Sequence, residues 1–142
     1  MNNNHQFAVS CHILAILAAS PEDTVTSEVI ALSVDTHPVV IRRILGYLRD
    51  NGLVESKAGA NGGWKLVPDP SQVSLRGVYQ AVGQDFVLNM HQHPNPECPI
   101  GGNIQETLKN VFNQAQAAME NALDNFTIQN ILTETIKNSE KN

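Results

Sequence analysis

VDTHPVVIRRILGYLRDN, residues 34–51, reads as a helix with two opposed faces. Ile41, Ile44, Leu45 and Leu48 recur at i, i+3, i+4 and i+7, so one stripe is apolar and turns toward a core. Val39, Arg42, Arg43 and Gly46 fall on the other side, which is short, basic and flattened by the glycine. Thr36 and His37 are cap candidates, and Pro38 suits the first helical position, where its missing N–H costs nothing. A helix packed inside a protein has no use for paired arginines on its outer face. A helix set in a DNA groove does, because guanidinium groups fork onto guanine O6 and N7 or grip phosphates.

On the N-terminal side, residues 6–19, QFAVSCHILAILAA, read as a first helix with Phe7, Val9, Ile13, Ile16 and Leu17 supplying its apolar side. Cys11 and His12 sit mid-helix and read as a small core thiol and a hydrogen-bonded or half-exposed histidine. Pro21 ends this helix. Thr26 or Ser27 then caps a second, short helix that carries Val29, Ile30 and Leu32. Val34, Asp35 and Thr36 make the turn into the central helix, which fits a helix-turn-helix. An ordinary corner between two helices gives the same pattern, so the pattern alone is weak.

The segment behind the central helix is more specific. Asn51-Gly52 ends that helix, the glycine favouring a left-handed cap. LVESK (residues 53–57), the glycine-rich AGANGG (58–63) and WKLV (64–67) make a strand, a turn and a second strand closed by Pro68. A β-hairpin directly behind such a helix is a wing. The glycine-rich turn is no nucleotide loop: it lies between strands rather than before a helix, and it lacks the Gly-Lys-Ser/Thr ending. Its glycines serve positive φ and close backbone approach. Lys57 and Lys65 flank the tip, Asn61 is placed to reach a minor-groove edge, and Trp64 reads as the anchor of the wing in the core.

Ser74 caps a short helix, residues 75–82, with Leu75, Val78 and Val82 inward. Residues 83–103 read as a loop holding Pro94, Pro96, Pro99, His91, His93, Cys98 and the Gly101-Gly102 pair. Residues 104–126 keep a 3–4 apolar spacing for about six turns, roughly 34 Å of helix at 1.5 Å per residue. That exceeds what a small domain needs for its own packing. Leu108, Val111, Phe112, Ala115, Met119 and Ala122 are therefore expected to bury against the same helix of a second copy in a two-fold dimer. Thr127 caps a last helix over 128–137, and the tail beyond it is polar. The expected fold is mainly α with a small β-hairpin wing. A winged helix-turn-helix domain over 1–82 leads into a loop over 83–103, then into a long dimerisation helix and a C-terminal helix over 104–142.

The 142 residues carry a formal net charge of −5, an unpromising total for a nucleic-acid binder. The charge is uneven. Residues 36–66 hold five basic side chains against two acidic ones, while residues 83–142 hold three against seven. A local positive patch governs phosphate contact more than the total does. Two cysteines are too few for a secreted disulfide framework, no apolar run approaches the ~18 residues of a membrane span, and MNNNHQ has no signal-peptide core. The expectation is a cytoplasmic protein with no membrane association.

The stretch THPVVIRRILGYLRDNGLVESKAGANGGWKL, residues 36–66, resembles the Rrf2 family of transcription regulators. Arg42-Arg43, then Leu48, then Asn51-Gly52-Leu53-Val54, then the Gly-Gly-aromatic-Lys-Leu wing carry the likeness. The short helix, proline-rich loop and long helix keep the family's order over essentially the whole chain. The resemblance implies a dimeric winged helix-turn-helix protein, usually a repressor, on a partly palindromic operator in double-stranded DNA. Some members hold an iron–sulfur cluster through three cysteines in the loop before the long helix. Here that loop has one, Cys98, while Cys11 lies on the first helix, so no cluster and no other cofactor is expected. HPNPECPIG before the long helix looks like the cluster-free branch, where some members use a cysteine at this position as a redox switch.

On a duplex, Thr26 or Ser27 is expected to meet a phosphate. His37, Pro38, Val39, Arg42 and Arg43 face the major groove, and Lys57, Asn61 and Lys65 run along the minor groove. A nearby helix N-terminus favours a Cys98 thiolate and Glu97 opposes it; Cys11 or the Cys98 of a second copy are the only resolving thiols. Three other readings stay in view. His91, His93 and Cys98 together could respond to a metal. An adaptor could keep the fold without binding DNA. A thiol enzyme is disfavoured, since no base beyond His91 and His93 is in view.

Overall fold

The structure, a computed structural model, describes residues 3–82 and 87–142. In chain order it comprises α1 (Asn3–Ala19), α2 (Ser27–Val34), α3 (Pro38–Asp50), β1 (Val54–Lys57), β2 (Gly63–Leu66), a 3-10 turn (Pro70–Gln72), α4 (Leu75–Ala81), α5 (Ile104–Leu123) and α6 (Ile128–Glu140). This is the mainly helical winged-helix fold that the sequence implies. Residues 83–86 of the expected loop lie outside the described residues.

The apolar stripe of α3 is its inner face. Ile41, Ile44, Leu45 and Leu48 are all fully buried, packed with Ile13, Leu14 and Leu17 of α1 and Ile30 of α2. Each such side chain contributes about 1.5–3 kcal/mol when removed from water. Pro38 occupies the first turn, and the side chain of His37 makes no capping bond. At the other end Gly52 takes φ 75°, and the Leu53 N–H reaches back to the Leu48 carbonyl at 3.0 Å, closing the helix. Asn51 Nδ2 donates to the carbonyls of Tyr47 and Ala81, tying that end to α4. The turn between α2 and α3 is made by Asp35 at φ 62°, one of the few side chains that tolerate the left-handed region.

β1 and β2 pair antiparallel, with Val54 opposite Leu66, Glu55 opposite Lys65 and Ser56 opposite Trp64. The hairpin does not stand alone. Val25, in the α1–α2 connection, exchanges both backbone bonds with Trp64, at 2.9 and 2.8 Å, and so adds a one-residue third strand. Thr24 Oγ1 reaches the carbonyls of Asn61 and Gly62 at 3.0 and 3.1 Å. Gly63 sits at φ 143°, and a Cβ there would lie 2.8 Å from the Val25 oxygen. Only glycine lets the two backbones approach so closely. Trp64 is half-buried against the core, consistent with a role in anchoring the wing.

α5 stops at Leu123, three residues earlier than the spacing suggests, and α6 runs on to Glu140. α6 does not continue along α5. Its Ile128 is fully buried in the same core as α3, it packs on α1, and its capping box joins Thr127 and Asn130. Backbone bonds from Ile128 N to Val73 O and from Leu75 N to Phe126 O clamp its start beside α4. The last helix thus belongs to the winged-helix core by its packing, whereas the sequence groups it with the long helix.

Replacing Gly63 by alanine is expected to cost about 1–3 kcal/mol, because it combines a strained φ with a backbone clash. Urea unfolding monitored by circular dichroism measures this. An unshifted midpoint would show that the wing and the Val25 strand are not held in contact.

Candidate nucleic-acid interface

Four side chains of α3 are turned fully inward and Val40 packs partly against the core, which leaves the opposite positions outward. Val39 is 71% exposed, His37, Arg42 and Arg43 are exposed, and Pro38 and Gly46 are half-buried. A side chain on Gly46 would meet little, so the glycine leaves that face low rather than making room for a neighbour.

The two arginines are not equivalent. Arg42 turns back onto α2. Its Nη2 pairs with the carboxylate of Glu28, and its Nε donates to Ser27 Oγ at 3.2 Å. Among the described residues nothing engages the Arg43 side chain in a hydrogen bond or ion pair. Glu28's carboxyl is held below its usual range, first by its own backbone N–H and then by the Arg42 guanidinium.

The same contact corrects Ser27. Its side chain is buried, at 6% exposure, with the hydroxyl occupied by Arg42, so it does not face outward to a phosphate. Thr26 is the cap: its Oγ1 accepts from the Val29 N–H at 3.2 Å, and the residue is exposed at the start of α2. Glu28 carries no functional signal in the sequence. It is an acid in the first turn of a helix and would ordinarily be assigned to the helix dipole. Its link to Arg42 crosses fourteen positions of sequence.

The wing places Lys57 on its outer edge and half-buries Lys65, with Asn61 exposed at the turn. A groove of about 930 Å³ runs along the seam where the wing meets the α1–α2 connection. Lys57, Lys65 and Asn61 line it, but so do Glu22, Asp23 and Glu55. The positive charge of the wing is therefore partly offset at close range.

On α5 the residue most buried is Gln116, at 8% exposure. Its amide donates to the Tyr79 hydroxyl at 3.0 Å, while Gln80 Nε2 reaches Glu120 from the same side. The helix docks on α4 through this polar seam. Val111, Ala115, Ala118 and Ala122 remain exposed, and Leu108, Phe112 and Met119 are half-buried. Polar contacts to α4 and an uncovered small-apolar row thus occupy different sides of one helix.

Cys98 lies in a tight turn before α5. Backbone N–H groups of Gly101 and then Ile100 point at its sulfur and hold the thiol below its ordinary value. This pair of amides lies in the turn just before the helix end that the sequence suggests. A Cβ on Gly102 would sit 2.6 Å from the Pro96 oxygen, so the turn needs its glycines to close. Cys11 is the opposite case, its thiol pushed up to about 12 by burial.

A family model described as Rrf2, iron-dependent transcriptional regulator, matches residues 3–134. YwnA of Bacillus subtilis (strain 168), named as an HTH-type transcriptional regulator, is 39% identical over 130 residues, spanning 91% of this chain and 96% of YwnA. A crystal structure described as a DNA-binding protein superposes with a TM-score of 0.74 at 36% identity, over 89% of this chain and 98% of its own. A transcriptional regulator from Lactobacillus plantarum gives 0.80 at 26% identity, over 92% and 89%.

The donor set does not fit the iron in that family description. Among the described residues no three His, Cys, Asp or Glu side chains come together, so His91, His93 and Cys98 do not form the metal site considered from the sequence. A buried high-pKa thiol on α1 and a single loop thiol are a poor basis for a cluster that needs several thiolates.

The two thiols should separate cleanly by alkylation. Depressing a thiol's pKa increases its thiolate fraction at any pH below the ordinary value, and the thiolate is the nucleophile. Iodoacetamide labelling with peptide mass spectrometry should show Cys98 reacting with a midpoint below that of a free thiol. Cys11 should stay unlabelled until the chain unfolds. Equal labelling of both would contradict the two environments.

Proposed function

Because the chain belongs to the Rrf2 family of transcriptional regulators, we propose that it is a homodimeric repressor that reads its operator chiefly through Arg43 and works without an iron–sulfur cluster. The observation that carries this is the outer face of α3: an exposed, unengaged Arg43 beside His37 and Val39, raised on four fully buried residues. Such a guanidinium can fork onto guanine in the major groove. Thr26 at the start of α2 supplies a hydroxyl for a phosphate, and Lys57, Lys65 and Asn61 bring the wing to the adjacent minor groove.

The uncovered row of Val111, Ala115 and Ala122, with Leu108, Phe112 and Met119 along its edge, supports pairing of α5 with the α5 of a second copy. Two-fold pairing sets the two α3 helices at a fixed separation, which a palindromic operator would match. The turn of Cys98 leads straight into α5, which supports a reading in which oxidation of this thiol by a peroxide changes that separation. Among the described residues no helix is long and apolar enough to cross a membrane, and we place the protein in the cytoplasm with its DNA. The adaptor reading draws on the acidic groove beside the wing. It predicts no salt-dependent retention of operator DNA, whereas a phosphate-contacting dimer loses affinity steeply as salt rises.

Arg43→Ala should weaken operator binding in a gel-shift titration by about 1–3 kcal/mol while circular dichroism stays unchanged. Wild-type affinity in that variant would remove Arg43 from the reading surface. Peroxide should lower operator affinity of the wild-type dimer and leave Cys98→Ser indifferent. A Cys98→Ser protein that responds as fully as wild type would rule the thiol out as the sensor.

A further inference from the structure

Arg42 and Arg43 are adjacent on one face of α3, yet they meet different surroundings. Arg42 is held at two points: its Nη2 by the Glu28 carboxylate, and its Nε by the buried hydroxyl of Ser27. Ser27 cannot swing outward without leaving the core, so the second point fixes where the guanidinium returns to. Both charged side chains are about half exposed, and exposed ion pairs add little to stability. Stability is therefore a poor explanation for the arrangement.

A carboxylate offers Arg42 the same planar pair of acceptor oxygens that a backbone phosphate would offer. Glu28 comes from the first turn of α2, the helix beside α3, and in this structure it engages Arg42. Any duplex must displace it before Arg42 can reach a phosphate. It also brings a negative charge to the face that DNA approaches.

We propose that Glu28 restrains sequence-independent DNA binding by holding Arg42 against α2, which leaves Arg43 to decide affinity through its contact with the bases. Glu28 is a positioning residue acting through Arg42. The inference rests on the reading of α3 as the DNA-facing helix. It makes a prediction that this reading alone does not: removing an acid should strengthen binding to the wrong DNA and alter its salt dependence.

The test is a fluorescence-anisotropy salt titration of the full-length dimer on a duplex of random sequence. It compares wild type, Glu28→Gln, Arg42→Ala and the double variant. In Glu28→Gln, Arg42 is released to one additional phosphate, so the slope of log K against log salt should steepen by about 0.9. The gain in affinity should shrink about threefold between 50 and 200 mM salt. Arg42→Ala should change little while Glu28 is present, and should abolish the whole gain in the Glu28→Gln background. An unchanged slope and affinity in Glu28→Gln overturns the inference. So does a loss of affinity with a lowered melting temperature, which would mark Glu28 as structural. If Arg43→Ala still binds operator as wild type does, or no variant retains any duplex, the reading of α3 fails and this inference falls with it. If Arg43→Ala is defective and Glu28→Gln is silent, only the inference falls.

Discussion

Burial of Ile41, Ile44, Leu45 and Leu48 allows α3 one rotation about its own axis. Successive residues on a helix are about 100° apart, so a shift of one position would lift an isoleucine into water and drive an arginine into the core. Both errors are costly, the second far more than the first, since an unpaired buried charge has no compensation. The orientation of Val39, Arg42 and Arg43 is thus a by-product of core packing. Core packing sets which positions leave the helix outward; Arg42 is then turned further by Ser27 and Glu28, whereas among the described residues no hydrogen bond or ion pair redirects Arg43.

The same core governs the wing indirectly. Two strands of four residues would be marginal alone in water. Here Val54 is buried, Trp64 packs on the core, and Val25 closes the ladder from the other side. Gly63 makes that third strand possible by letting the backbones meet. The wing's position relative to α3 is then fixed through α1 and α2 as well as through the short link from Gly52. α6 adds to the same unit, so the C-terminal helix braces the winged-helix core while α5 extends from it through the Gln116–Tyr79 seam.

Legibility in the sequence depends on how local each cause is. The inner face of α3, the hairpin and the caps at Ser74 and Thr127 depend on residues within one or two turns of each other, and their patterns survive in one dimension. The partner of Arg42 is fourteen residues away, and Glu28 in a first helical turn already has an ordinary explanation. Ser27 misleads for a related reason: beside Thr26, either could cap, and only packing decides that one is buried. An amphipathic α6 announces that it has a partner without naming it. Gln116 breaks the apolar pattern of α5 and is the one polar residue there to be buried, which periodicity alone cannot anticipate. For Cys98 the sequence points to a helix end as the source of a depressed thiol. The amides of Gly101 and Ile100 lower it, through a turn geometry that spacing does not encode.

The charge distribution takes a consistent form around the outer face of α3 and the wing. The chain is acidic overall, Arg42 is neutralised by Glu28, and Glu22, Asp23 and Glu55 stand beside the lysines of the wing. Each of these reduces the sequence-independent attraction to phosphates. A protein with a weak general attraction must draw a larger share of its operator affinity from base contacts, because phosphate contacts carry no sequence information. A genome offers an immense excess of non-operator sites, so discrimination rather than bare affinity decides where a regulator resides. The acidic residues near α3 and the wing therefore do not argue against nucleic-acid binding. On the reading proposed for Arg43, they lower the background against which its guanidinium acts.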